Sequence, residues 1–395
     1  MTRPPDTLFD SDRPAAPVDP DAEVRALVAL GFVAGVGSAR VRALVAHLGS
    51  ARAAFEAPVS RLAVVDGVGR QTAAAVRAFD AWDEVDRQFD RAARVGARPV
   101  AFTDPEYPAL LLQIYDPPAL LWVRGRLVGA DAHAVAVVGT RKATDYGLRV
   151  AAAFARGLAE AGVTVVSGLA YGVDAAAHTA ALDAGGRTVA VLGSGVDRVY
   201  PQRHAGLVRR ILETDAGAVL SETPMGAAPD AGNFPRRNRV VSGMSLGTLV
   251  AEARPTGGAL LTAAMALEQD REVFAAPAPV FSDMTGTNRL IQGGAAALVM
   301  TPQDVLDALA PRLPRPSDAR PDGTAPRSLD RPADRPADLT AVEGRLLDAL
   351  GPEPLGLDDV CEKAGLDTST ALVYLLQLEF RGLVRQLAGK QFFRL

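Results

Sequence analysis

Between residues 134 and 277 the chain places short runs of β-branched and small apolar residues at intervals that leave room for one helix each. The runs are AVAVVG (134–139), VTVVSG (163–168), TVAVLG (188–193), AVLSE (218–222), GTLVAEA (247–253) and REVFAAP (271–277). None alternates apolar with polar positions, so each predicts a strand covered on both faces, the pattern of a parallel sheet. Alanine-rich amphipathic stretches lie between them, as in 145–162 and 172–186. The βα alternation predicts an α/β fold with a Rossmann-like, doubly wound, mostly parallel sheet.

Two segments rich in Pro, Asp and Arg divide the rest of the chain. Residues 1–20 read as a disordered tail and 311–338 as an extended linker. Between tail and sheet, residues 21–100 repeat one device: a Gly-Val-Gly turn at Gly35–Gly37 and again at Gly67–Gly69, each leading into a helix. Such turns expose backbone N–H groups at a helix N-terminus, where a phosphate can sit or where helices simply pack closely. The repeat resembles paired helix-hairpin-helix motifs of a SAM-like helical domain. Residues 101–310 form the Rossmann-like domain, and 339–395 read helix, helix, helix, hairpin, a winged-helix order. There Asp367 or Thr368 caps a helix whose Leu372, Leu375, Leu376 and Leu378 face inward, and Gly389 turns the hairpin. Its third helix offers no basic residue before Arg381, so protein contact or packing is expected of it rather than reading of a duplex groove.

A formal net charge of −4 gives no overall basic field, so an anionic partner has to be held by a local cluster. One cysteine, Cys361, and four scattered histidines argue against a disulfide framework or a zinc site, and no metal or cofactor is expected. No apolar run is long enough to span a bilayer and the N-terminus is not signal-like, so a cytoplasmic protein without membrane insertion is expected.

In an open α/β sheet ligands bind beyond the carboxyl ends of the strands. The loops there include VVGTRK (137–142), SGLAYGVD (167–174), GSGVDRVYP (193–201), SETPMG (221–226) and RPTGGALLT (254–262). Several are glycine-rich and enter helices, so N–H groups and helix dipoles can converge on an anion. Arg141 and Lys142 add charge at the same edge. A dinucleotide fingerprint fails because Arg198 stands where Gly193-Ser194-Gly195 would need its third glycine, and no P-loop occurs. Asp174 and His178, four residues apart, suit an acid–base pair but more ordinarily anchor a helix start. Ser221, Glu222 and Ser242 sit in no nucleophile elbow.

The densest basic cluster is NFPRRNRVVSGMS (233–245). Pro235 disfavours helix at Phe234, so the helix is expected over 236–245, with Arg236 and Arg239 on one side. These guanidinium groups can grip phosphates beside a stacking aromatic, or can pair with Glu222, Asp230 or a partner subunit while Phe234 plugs the core.

In ordered succession, YPALLLQIYDPPALLWVRG (107–125), VVGTRKATDYG (137–147), VVSGLAYGVDAAAH (165–178), VYP, LSE, FPRRNRVVSGMS (234–245), VAEA, GGALLTAAMALEQDREVFAAP (257–277) and GTNRLIQGGA (286–295) resemble the DNA-processing protein A (DprA, or Smf) family over roughly residues 105–300. The resemblance implies a non-catalytic, homodimeric protein that binds single-stranded DNA taken up in natural transformation, loads the recombinase RecA onto it and helps overcome single-strand-binding protein. It carries the family's DNA pocket onto Arg141 and onto Phe234, Pro235, Arg237, Asn238 and Arg239. With the neighbouring loops, the expected DNA contacts are Arg141, Lys142, Ser167, Gly168, Tyr171, Phe234, Arg236, Arg237, Asn238, Arg239, Gly257 and Gly258. Tyr171 stands where the family often has Lys, and Thr256-Gly257-Gly258-Ala259 and Pro277-Ala278 also depart from its pattern.

A rival reading is an enzyme. Nucleotide phosphoribohydrolases of the lysine-decarboxylase-like group also combine a glycine-rich loop with a Glu-bearing helix. TGGALLTAAMALE bears some likeness to that, with Glu252 and Glu268 as candidate acids.

Overall fold

The structure is a computed structural model that describes residues 20–213, 217–313, 339–351, 355–380, 383–387 and 391–394. Nearly all of the expected tail and linker, together with Gly389 and Arg381, lies outside the described residues. The chain divides into two units, of which the first ends near Arg320.

The first unit is built on a sheet of nine strands: β1 (Ala97–Ala101), β2 (Leu120–Gly125), β3 (Ala134–Gly139), β4 (Thr164–Ser167), β5 (Thr188–Val191), β6 (Gly217–Ser221), β7 (Gly247–Glu252), β8 (Glu272–Ala275) and β9 (Ala297–Leu298). Their order is β1-β2-β6-β5-β4-β3-β7-β8-β9. Strands β3 to β9 run parallel, while β2 pairs antiparallel with β6, and β1 antiparallel with β2. From β3 the chain winds outward to β6 and then returns to β7 on the other side of β3, which makes that position the topological switch point.

Burial on both faces follows the strand period of two. In β3, Ala134, Ala136 and Val138 face an apolar cluster completed by Val240 and Val241 of the Asn233–Gly243 helix, by Met244 at its C-terminal end and by Ala263 of the Gly258–Glu268 helix. The intervening Val135 and Val137 face the opposite cluster, with Phe154 and Leu158 of the Asp145–Glu160 helix and Ala177 of the Val173–Asp183 helix. Helices therefore cover both sides, as the sequence predicts.

Strands β1 and β2 were not legible as strands. Pro99 sits in the middle of β1 and removes a ladder donor, which a sheet tolerates at an edge. The helices Pro20–Phe32, Ser38–Leu48, Ala51–Glu56, Val59–Leu62, Arg70–Arg77 and Trp82–Arg94 precede that edge. Their core, with Leu30, Leu44 and Leu62 fully buried, runs on into Ala101 and Ala119 beside the sheet. Gly35 and Gly67 adopt left-handed φ values of 79° and 71°, and Gly37 and Gly69 cap the helices that follow.

The second unit has helices Ala341–Ala349, Leu357–Ala364 and Thr368–Phe380 and a small antiparallel sheet in which β12 (Gln391–Arg394) lies between β10 (Leu355–Gly356) and β11 (Val384–Leu387). Asp367 is the cap: its carboxylate accepts from the Thr370 N–H at 3.0 Å. Leu375 and Leu378 are fully buried and Leu372 packs against them, but Leu376 is exposed, contrary to the expectation. That helix is apolar on more than one side, so its sequence period does not select a single inner stripe.

Candidate nucleic-acid interface

The loops at the carboxyl ends of β3 and β4, the start of the Asn233–Gly243 helix and the turn before the Gly258–Glu268 helix enclose a cavity of about 470 Å³. Arg141, Gly168, Phe234, Arg237, Asn238, Gly257 and Gly258 all line it, so seven of the expected contact residues meet there. Gly257 caps the 258–268 helix, whose first turn opens into the cavity. Arg254, which sequence reasoning did not single out, adds a third arginine. Asp174 is the sole carboxylate among the described lining residues, which gives the cavity a cationic balance.

Local backbone geometry holds the floor. Leu169 is fully buried and takes a left-handed φ of 58°, an arrangement that costs about 1–3 kcal/mol for a non-glycine residue. The buried Asp174 carboxylate offsets this by accepting from the N–H groups of Gly168 and Ala170, each at 3.2 Å. At Gly172, with φ of 75°, a Cβ would overlap the Thr140 carbonyl.

Arg237 is the most constrained cation of the cavity. Its guanidinium is buried, donates to the carbonyls of Gly168 and of Val191 (2.7 Å to the latter), and is steadied by Asn238 through an Nε–Oδ1 bond of 3.1 Å. A Cβ on Gly168 would collide with it. Burial lowers the Arg237 pKa from its ordinary value, and Asp174 opposes that shift. Burial in turn raises Asp174, against the pull of Arg237 and the two backbone donors. Phe234 is half-buried rather than a core plug, and carries the Arg141 guanidinium 4.7 Å above its ring centroid and that of Arg237 at 5.9 Å.

The helix that carries these groups begins at Asn233, three residues before the expected start. Pro235 falls in the first turn, where its missing N–H would have had no helical partner, so the local preference of Phe234 is overridden.

Five expected contacts stand outside the main cavity. Arg239 is largely buried on the other side of the helix, where it pairs with the Glu222 carboxylate and donates to the Asp116 carbonyl. Arg236 reaches the same carboxylate at 3.6 Å from an exposed position. The alternative of salt bridges with Glu222 thus holds for these two arginines, and Arg237 alone of the three enters the cavity. Ser167 is buried and donates to the Val137 carbonyl at 2.7 Å, joining β4 to β3. Lys142 is exposed on the outer flank of its loop. Tyr171 lines a smaller neighbouring chamber with Tyr200 and Phe234. Its ring carries the guanidinium of Arg203 at 5.1 Å and meets His204 edge-on, so a cation stands beside the aromatic.

The remaining candidates serve the fold. His178 is fully buried with Nδ1 2.7 Å from the Thr188 hydroxyl, and burial pushes its pKa down to about 3, so it is neutral and does not pair with Asp174. Ser221 donates to Leu192 and Ser242 to Gln269. Glu252 is buried and accepts from both the N–H and the hydroxyl of Thr144, which secures the start of the 145–160 helix. A Cβ on Gly147 would overlap that carboxylate. Glu268 ends the 258–268 helix, about 9 Å along its axis beyond Thr262, the last residue of that helix to line the cavity. Neither acid of the phosphoribohydrolase reading lines the cavity.

Fold and cleft together define a class: a doubly wound α/β protein with a cleft, at the switch point of a parallel sheet, built of glycine turns, arginines and one aromatic ring. Residues 98–310 match the family described as DNA recombination-mediator protein A, and residues 330–390 match the DprA winged helix domain. Protein Smf of Escherichia coli (strain K12) is 41% identical over 284 residues, covering 72% of this chain and 74% of the relative. Protein Smf of Synechocystis sp. is 37% identical over 315 residues, covering 74% and 78%. The X-ray structure of DNA processing protein A from Streptococcus pneumoniae superimposes with a TM-score of 0.62 at 32% identity, over 72% of this chain and 97% of that one. The chain belongs to the DNA recombination-mediator protein A (DprA/Smf) family. Among the described residues no helix is long and apolar enough to cross a membrane.

Proposed function

We propose that this protein binds single-stranded DNA in the cleft at the carboxyl edge of its sheet, and that it acts as a non-catalytic, cytoplasmic recombination mediator in natural transformation. In this reading a homodimer takes up the incoming strand and passes it to RecA in the presence of single-strand-binding protein. The observation that carries the reading is the arrangement of Arg141 and Arg237 about the Phe234 ring, over glycine turns that leave room for a backbone. Guanidinium groups suit phosphate oxygens, and a half-exposed ring stacks any base, a contact worth roughly 1–3 kcal/mol. Arg254 and the first turn of the 258–268 helix supply further anion contacts, and Tyr171 with Arg203 extends the surface toward Tyr200.

Fluorescence anisotropy with a labelled oligonucleotide, single-stranded and then annealed, across salt concentrations, tests the binding. Tighter binding of the single strand with a steep salt dependence is expected, and equal or absent binding would refute it. Strand exchange by RecA on DNA coated with single-strand-binding protein tests the mediator role, with stimulation expected.

A further inference from the structure

Arg141 belongs to two surfaces at once. It lines the cleft, and it also lines a shallow groove of about 640 Å³ that runs between the Asp145–Glu160 and Val173–Asp183 helices. The floor of the groove is made largely of small residues such as Ala152, Ala175 and Ala176, with Leu148 beside them. Along it stand Lys142, Arg149 and Arg156, all exposed. Arg149 and Arg156 are seven residues apart on one helix, which places them on the same side about 10 Å from each other.

Among the described residues no carboxylate pairs with the side chains of Arg141, Lys142, Arg149 or Arg156. Asp183, the acid that lines the groove, is held by Arg210 at 2.7 Å. Several exposed arginines elsewhere are bound to acids, as in Arg25–Asp86, Arg52–Glu56 and Arg98–Glu106. In a chain of net charge −4, a continuous row of unpaired cations leading out of the cleft is a local concentration of positive potential. No aromatic side chain lines the groove, so it has the means to hold a backbone and none to stack bases.

We infer that the groove is a second binding subsite, in which the single strand held in the cleft continues past Arg141 and lays its phosphates on Arg149 and Arg156. This rests on the cleft being the site for single-stranded DNA. Because the contacts are ionic, the subsite adds affinity without sequence preference and only for strands long enough to leave the cleft.

The test compares a short oligodeoxythymidylate of about 6 nucleotides with a longer one of about 20, across salt, for the wild-type protein and for Arg149→Glu/Arg156→Glu. The wild type is expected to bind the longer strand more tightly. The double variant is expected to keep its affinity for the short strand, to lose about tenfold for the long one and to lower the salt slope for that strand by about 1.4, two phosphates' worth. Arg149→Lys/Arg156→Lys retains most of the long-strand affinity. An equal change at both lengths, or none, overturns the subsite. A wild type that binds both lengths equally overturns it while leaving the cleft intact, and one that binds neither overturns both. Should the double variant lose only duplex binding, the groove belongs to duplex DNA and the inference fails.

Discussion

The two sides of the Asn233–Gly243 helix use the same residue type in opposite ways. On the cleft side Arg237 is fixed by carbonyl groups and by Asn238, with no carboxylate in ion-pair contact among the described residues, and borders an open cavity beneath Phe234. On the far side Arg239 and Arg236 share the Glu222 carboxylate, and Arg239 ties the helix to the end of β6 and to the Asp116 carbonyl. Arginine density alone therefore does not mark a ligand site. A cation fixed by carbonyls next to empty space is available to an anion, whereas one fixed by a carboxylate is part of the scaffold.

Glu222→Ala should break this contrast most severely. It leaves the largely buried Arg239 without its close acid partner and with only the Asp116 carboxylate, 3.9 Å away, which costs up to about 3–5 kcal/mol of stability, to be read from the denaturant midpoint. The protein that remains folded should bind single-stranded DNA as before, and lost affinity at unchanged stability would reverse the assignment of the two sides. Phe234→Ala should cost roughly 1–3 kcal/mol of binding by titration, with little change in stability because its ring is only half-buried.

A pH effect sharpens the cleft side. Asp174 already lies above its ordinary 3.8 because it is buried, and Arg237 is the largest influence pulling it back. In Arg237→Met that pull is gone, so Asp174 rises further. A group whose pKa is higher folded than unfolded stabilises the fold below the unfolded value and loses that contribution as pH climbs through the folded one. Thermal melting of Arg237→Met should therefore fall, relative to wild type, as pH rises from acid toward neutrality, and a parallel profile would mean that Arg237 does not act on Asp174.

The core of the sheet was readable because β3 to β8 are buried on both faces and leave unbroken apolar runs, whereas β1, with Arg98 and Pro99 within five residues, owes its strand to pairing with β2 across an intervening segment. Glycine turns and arginines gave the site its location, and helical spacing placed Arg236 and Arg239 together, as their shared acid bears out. Which side faced the cleft was not legible. The rotation of the helix is set by Val240, Val241 and Met244 packing on the strands, and those contacts exist only once the sheet is assembled. Arg203 was missed for the same reason, since only the folded chain brings it over Tyr171.

The most direct measurement is the salt dependence of single-strand binding for Arg141→Ala beside Arg236→Ala, two exposed arginines whose removal leaves the core untouched. Arg141→Ala should weaken binding to every sequence and reduce the slope of log K against log salt by about 0.7, while Arg236→Ala should match the wild type. Equal losses in both variants, or an unchanged slope in Arg141→Ala, would contradict a cleft that holds DNA on one side of the helix and braces the fold on the other.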